Sequence, residues 1–284
     1  MTPTKTALAW GQDATGFSRL DAESFPPFEP GWVWLVGAGP GAPGLMSLLC
    51  YHAMQHCDVV VYDALVNPDI LRWVRVGAEL EYAGKRGGKP SPTQKDITVR
   101  LIELAQQEKR VLRLKGGDPF MFGRGGEESQ NLAKSGIPFR IVPGISSGIG
   151  GLAYAGIPAT HRDTNHAVTF LTGHDATGKM PANVNWSAIA TAAPVIVMYM
   201  GVKNLGEIGK TLIEAGREPD DPVAIVSNAS LPHQQVAMTT LGEAGQFIVE
   251  NNPPTPAIIV VGHASDWRSL LDWYGPSLRE NKIG

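Results

Sequence analysis

Cysteine is scarce: the 284-residue chain has two, Cys50 and Cys57. They fall seven apart on one helix-like stretch. Two helical turns separate their backbones by roughly 10 Å, beyond disulfide reach. That excludes a disulfide scaffold and fits buried structural thiols in a reducing cytoplasm. Charge is sparse too, at 18% of residues with a net value of −3. Without a basic excess, no nucleic-acid partner is expected. No apolar run matches a signal-peptide core or a membrane span, so no membrane association is expected either. No short-period repeat is present. His161, His166 and His174 match no standard metal-ligand spacing and have no cysteine nearby in sequence, so no metal is expected.

Glycine (33) and proline (22) are plentiful, clustered between apolar runs, which marks them as loop chemistry. Residues 1–30 are mixed in character and carry Pro26, Pro27 and Pro30, and read as a flexible tail. β-rich runs at 33–37, 58–63, 110–116 and 139–142 then alternate with helical patterns at 45–56, 127–135 and from 144. A longer helix begins at Ser91–Pro92, with Ser91 as N-cap. Such alternation is an α/β signature. A second block has strand patterns at 167–173, 194–200, 222–228, 236–240 and 257–262, with helices near 204–215, 241–250 and 266–273. The short link between 228 and 236 predicts an antiparallel hairpin, and so a mixed second sheet. The reading is two α/β domains, 31–158 and 159–284, with the boundary in the turn-rich stretch 156–166.

Three glycine loops stand after strands. The first, Gly37-Ala38-Gly39-Pro40-Gly41-Ala42-Pro43-Gly44, admits a dinucleotide fingerprint or a structural turn. Its prolines delay the helix whose N-terminus a pyrophosphate needs. The second, Gly116-Gly117-Asp118-Pro119-Phe120-Met121-Phe122-Gly123-Arg124-Gly125-Gly126, is far longer than a turn requires. It carries charges of both signs, as a ligand loop does. Glu127 and Glu128 then suit a helix start. The third is Pro143-Gly144-Ile145-Ser146-Ser147, where capping accounts for one serine and a ligand contact for the other.

Cations gather beside these loops: Lys85, Arg86 and Lys89, then Arg113 and Lys115, then Arg124, then His161 and Arg162. Together they would suit a small polyanion, although a charge run such as Lys85–Lys89 is also what a solvated surface looks like. Glu127, one turn from Arg124, can hold it by a bidentate pair. Asp63, closing the second strand, is either a base or a loop cap.

The segments GAGPGAPGL, YDALV, GKRGGKPSPTQ, LKGGDPFMFGRGGEE, VPGISSGIGGLAYAGIPATHR, NHAVTFLTGH and PVIVMYM occur in this order. Together they resemble the tetrapyrrole methylases, most closely the branch that C-methylates uroporphyrinogen III. The resemblance runs from about Val33 to Gly262. It implies two α/β domains with a cofactor cleft between them, and a homodimer. It also implies S-adenosylmethionine as cofactor, leaving as S-adenosylhomocysteine, and methylation of carbons 2 and 7 to give precorrin-2, an intermediate for sirohaem, cobalamin and haem d1. Carried onto this chain, the cofactor residues are Pro40, Gly116, Gly117, Asp118, Ser146, Ser147, Met200, Ala229 and Ala257. The resemblance also gives Arg124 a part in proton removal; a guanidinium suits anchoring a substrate carboxylate better, and Asp63 is the better base. Ala42 departs from the aspartate usual after GPG, and Ser146-Ser147 replaces a threonine followed by a small residue. Alternatives are another tetrapyrrole or RNA methylase of the same fold, a nicotinamide-dependent oxidoreductase built on Gly37–Ala42, and a non-catalytic ligand-binding module.

Overall fold

The computed structural model describes residues 25–84 and 94–275. The first sheet contains β1 (Val33–Gly37), β2 (Val59–Tyr62), β3 (Glu79–Tyr82), β4 (Val111–Lys115) and β5 (Phe139–Val142). Its order is β3-β2-β4-β1-β5, and every pairing is parallel. Parallel neighbours need crossovers. These contain α1 (Leu48–His56), α2 (Pro68–Leu71), α3 (Gln94–Gln106) and α4 (Gly125–Lys134). The two central strands, β1 and β4, are buried along their whole length. One face packs Trp34, Val36, Leu112 and Leu114 with Ala53 and Met54 of α1. The other packs Val33, Leu35 and Val61 with Leu101, Leu104 and Leu132 of α3 and α4. Burying each such aliphatic side chain contributes about 1.5–3 kcal/mol.

The second sheet contains β6 (Val168–Thr172), β7 (Val195–Tyr199), β8 (Pro222–Ser227), β9 (Gln235–Thr240) and β10 (Ala257–Val261), in the order β6-β7-β10-β8-β9. It is mixed: β6 and β7 run parallel, and the other pairings are antiparallel, including the expected β8–β9 hairpin. Around it lie α5 (Ser147–Tyr154), α6 (Trp186–Ala192), α7 (Leu205–Glu214), α8 (Ala244–Asn251) and α9 (Arg268–Leu271). Leu205, Ile208 and Leu212 of α7 pack with Ala244 on one face of this sheet. Leu152, Ala155 and Ile157, in and just beyond α5, pack on the other with Val195, Val197 and Val260.

Several elements differ from the sequence reading. The first helix starts at Leu48, not Leu45: Pro43–Leu45 makes a 3-10 turn, and the Ser47 side chain caps Cys50 N. Cys57 is therefore a helix C-cap, yet both thiols are buried and free, as expected. The last helical stretch is shorter than expected, a 3-10 turn at His263–Trp267 followed by α9. Short α2, polar edge strand β3 and α6 carry patterns too weak or too brief to read. The flexible tail expected through residue 30 is contradicted at its end, where Phe28 is buried and stacks on Trp34 with ring centroids 4.4 Å apart. Residues 1–24 lie outside the described residues, as do the Ser91 cap and Pro92.

Candidate functional site

The three glycine loops leave the C-terminal edge of the first sheet, where ligands bind in open α/β folds. They touch one another through backbone. Ala38 N donates to Lys115 O at 2.8 Å, and Gly39 and Gly117 exchange N–H···O bonds of 3.2 and 2.8 Å. A Cβ on Gly37 would lie 2.5 Å from Gly117 O and 2.6 Å from Gly144 Cα, so only glycine permits this approach. Asp118 fastens the assembly. Its Oδ1 accepts from Phe120 N at 2.8 Å, and its Oδ2 accepts from Gly144 N at 3.0 Å. Space opens beside Gly117, where a Cβ would meet nothing closer than Ser146 Cα and Ser147 N at 3.9 Å.

One edge of the second sheet faces these loops. β7 ends at Tyr199, followed by Met200 at φ +55°. β10 runs antiparallel to it, so Ala257 lies at the same edge beside the end of β8. Tyr199 Oη lies 2.6 Å from Ser146 Oγ and accepts from Gly148 N at 2.9 Å. Ala42 N donates to Ser230 Oγ at 3.0 Å, while a Cβ on Gly41 would sit 3.0 Å from Leu231 and 3.2 Å from Ala229 O. Pro40 packs near Gly150, and Gly151 passes close to Ala229. Pro40, Gly116, Gly117, Asp118, Ser146, Ser147, Met200, Ala229 and Ala257 thus come from six chain segments to one junction. Ser146 is buried with its hydroxyl spent on Tyr199, whereas Ser147 is half-buried and Met200 is 42% exposed.

Charged groups fall into two sets. Arg124 stands at φ +59° before α4, and its guanidinium holds Glu127 by two bonds, Nε–Oε1 at 2.9 Å and Nη2–Oε2 at 2.7 Å. Both side chains are 55% exposed. That pair raises Arg124 above the ordinary arginine value and lowers Glu127 below the ordinary glutamate value. Arg124 therefore stays a cation. Asp63, at the end of β2, accepts from Leu65 N at 3.1 Å and Gly116 N at 3.4 Å, so it caps the loop and touches the second glycine loop at once.

The second set is buried. Arg113 and Lys115, expected on a substrate-facing surface, are inside, and both donate to Glu128 Oε1 at 3.2 and 3.3 Å. Arg113 also lies 3.9 Å from Asp63 Oδ2. Burial, with the Arg113 charge second, holds Lys115 below the ordinary lysine value. A β-strand buried on both faces turns these cations inward; nothing in their local sequence announces Glu128 as partner.

His161 and Arg162 are not brought to the junction. They precede β6, whose first residue pairs with the first residue of β7, the end of that strand away from Tyr199. His161 stacks on Trp267 with centroids 4.2 Å apart. Lys85, Arg86 and Lys89 lie outside the described residues. Among the described residues, no group of three or more His, Cys, Asp or Glu is placed to hold a metal ion. The dinucleotide reading fails on geometry: loop N–H groups at Ala38, Gly39 and Ala42 are bonded within the protein, and α1 begins well past the second glycine. The sequence reading singled out neither Tyr199 nor Ser230, and it gave Glu128 its place at the start of α4 but not its buried cationic partners. A tyrosine closing an otherwise apolar strand was the one available signal, for Tyr199.

A model of the family described as Tetrapyrrole (Corrin/Porphyrin) Methylases matches residues 33–245. A uroporphyrinogen-III C-methyltransferase from a Sinorhizobium species is 59% identical over 250 residues, covering 88% of this chain and 89% of the relative. The siroheme synthase of Zymomonas mobilis is 45% identical over 86% of this chain, which spans about half (51%) of that longer protein. Among solved structures, a uroporphyrin-III C-methyltransferase from Thermus thermophilus complexed with S-adenosylhomocysteine superposes with a TM-score of 0.72 at 34% identity. That match covers 82% of this chain and 98% of the other.

Proposed function

The chain belongs to the tetrapyrrole methylases, and from that premise we propose that it is an S-adenosylmethionine-dependent uroporphyrinogen III C-methyltransferase acting at carbons 2 and 7 to give precorrin-2. The observation that carries this reading is the junction itself, where three glycine loops meet the Tyr199–Met200 edge around the open space beside Gly117. The residues fit the cofactor. Backbone can approach a ligand closely at Gly116 and Gly117, Asp118 supplies a carboxylate, and exposed Met200 offers a soft apolar surface.

S-adenosylmethionine, which Gly116, Gly117, Asp118 and Met200 would hold, would supply an electrophilic methyl group to a pyrrole carbon of the substrate and would leave as S-adenosylhomocysteine, the macrocycle giving up one proton for each methyl gained. The protein holds two reactants in line and excludes water, which contributes roughly 7–11 kcal/mol. Arg124, fixed by Glu127 and permanently charged, anchors a substrate carboxylate and does not take the proton. Asp63 is the proton acceptor in this scheme. It is a partly exposed carboxylate at the strand edge, oriented by Leu65 N and Gly116 N. Lys85, Arg86 and Lys89 would add cations for the remaining carboxylates.

A homodimer in the cytoplasm without nucleic-acid partners completes the proposal. The net charge of −3 supports the last point, and no helix among the described residues is long and apolar enough to cross a membrane. The test is incubation with S-adenosylmethionine and anaerobically prepared uroporphyrinogen III. The expected product has gained two CH2 equivalents in mass. Cofactor binding with no methylation of this substrate would redirect the search to other tetrapyrroles.

A further inference from the structure

Tyr199 belongs to no expected set of site residues, yet three parts of the site converge on it. Its hydroxyl meets Ser146 Oγ at 2.6 Å and Gly148 N at 2.9 Å, at the very start of α5. Its ring lies 4.8 Å from that of Phe122, which stands at φ +54° two residues before Arg124. Its own chain continues directly into Met200, itself held at φ +55°. Tyr199 is buried, and Gly148 leaves no slack, since a Cβ there would be 2.3 Å from Tyr199 Oη. Ser147 N, the neighbour of this bonded pair, borders the open space beside Gly117.

We propose that Tyr199 is a positioning residue for the cofactor: its hydroxyl locks the Ser146–Gly148 turn to the end of β7, so that Ser147 and Met200 are held at one fixed separation. This rests on the reading of the junction as an S-adenosylmethionine site. The hydroxyl is well suited to the task. It can donate one proton and accept at the same time, so it serves Ser146 and Gly148 together. Burial raises the Tyr199 pKa above the ordinary tyrosine value, which keeps the group neutral and that pattern intact. The first turn of a helix has N–H groups without intrahelical partners, and Gly148 N is one of these. Removing the hydroxyl leaves it buried and unpaired, which frees the turn to shift.

Tyr199→Phe removes the hydroxyl and keeps the ring against Phe122. S-adenosylhomocysteine binding, measured by titration calorimetry without any tetrapyrrole, is expected to weaken about tenfold, the consequence of one unsatisfied buried donor. Turnover at saturating S-adenosylmethionine should stay within about twofold, so the defect appears in KM rather than kcat. Ser146→Ala should weaken binding less, and the double variant should be no weaker than Tyr199→Phe alone, because both act through one bonded pair. Gly148→Ala retains both hydroxyls but drives a methyl into Tyr199 Oη, and should weaken binding by the same route. It decides the matter if Tyr199→Phe does not fold. Wild-type-like binding by Tyr199→Phe, or fully additive losses in the double variant, would overturn the inference while leaving the function standing. A wild-type protein that binds no S-adenosylhomocysteine would overturn both.

Discussion

Arg113 and Glu128 form an ion pair with almost no access to water: their side chains are 2% and 0% exposed, with Nε 3.2 Å from Oε1. The same oxygen accepts from Lys115 Nζ at 3.3 Å and from Gln94, while Glu128 Oε2 has no hydrogen-bond partner among the described residues. Two buried cations thus lean on one buried anion, with Asp63 as the nearest further negative charge. Desolvating such a set is costly, so it adds little net stability as built, but removing its only buried anion is costlier still.

Glu128→Ala should accordingly destabilise the protein by about 3–5 kcal/mol, since it strands two buried cations. Urea unfolding would show this as a lower midpoint at unchanged slope. Replacing all three members by Met should cost less than the single change, because the desolvation penalty leaves with the charges. A Glu128→Ala protein as stable as the parent would contradict the pairing.

Strands were largely legible in the sequence because their burial is continuous: the runs at Val33–Gly37 and Val195–Tyr199 read as apolar and are buried throughout. The hairpin of β8 and β9 followed from a link too short for a crossover. What escaped has physical reasons too. Strand β3, ELEY, lies at a sheet edge and has no apolar run. Arg113 and Lys115 looked like surface cations because a sequence shows charge but not the partner that lets it be buried. For the candidate site, glycine spacing marked the loops. The clasp between Tyr199 and Ser146 joins residues 53 apart and leaves no local pattern.

Asp118→Ala and Arg124→Ala should separate by signature. Asp118 Oδ2 is the acceptor that ties the second loop to Gly144 N. Its loss should weaken S-adenosylhomocysteine binding about tenfold, the scale of one lost charge-assisted bond. Arg124 is exposed and, among the described residues, paired with Glu127. Its loss should leave cofactor affinity within about twofold and lower kcat/KM for the tetrapyrrole about 10–100-fold, equivalent to 1.4–2.7 kcal/mol. Equal loss of cofactor affinity in both variants would sink this division of roles.

Gly37→Ala tests the close approach of the loops. The added methyl would sit 2.5 Å from Gly117 O and 2.6 Å from Gly144 Cα, all of it backbone that cannot swing aside. The variant should lose about 1–3 kcal/mol of stability through overpacking. Cofactor binding should fall along with it, because the displaced loops are the ones that carry Asp118 and Ser147. Retained affinity at lowered stability would mean that the cofactor does not depend on this contact.

Cys50 and Cys57 give the pH dependence a definite sign. Burial raises both thiols to about 12, with the charge of Cys57 a further raising cause for Cys50. In the unfolded chain they titrate near ~8.5. Folded values above unfolded ones mean that the folded protein holds these protons longer. Their stabilising contribution is therefore full below about pH 8.5 and is lost as pH rises toward 12. Stability should fall between pH 8 and 10, and a Cys50→Ala/Cys57→Ala variant should show a shallower fall over the same range. Iodoacetamide at pH 8 should label neither residue in the native protein and both in urea, since the thiolate is the nucleophile. Rapid native labelling at either position would mean that the thiol is far less buried than its place in the core between α1 and the first sheet requires.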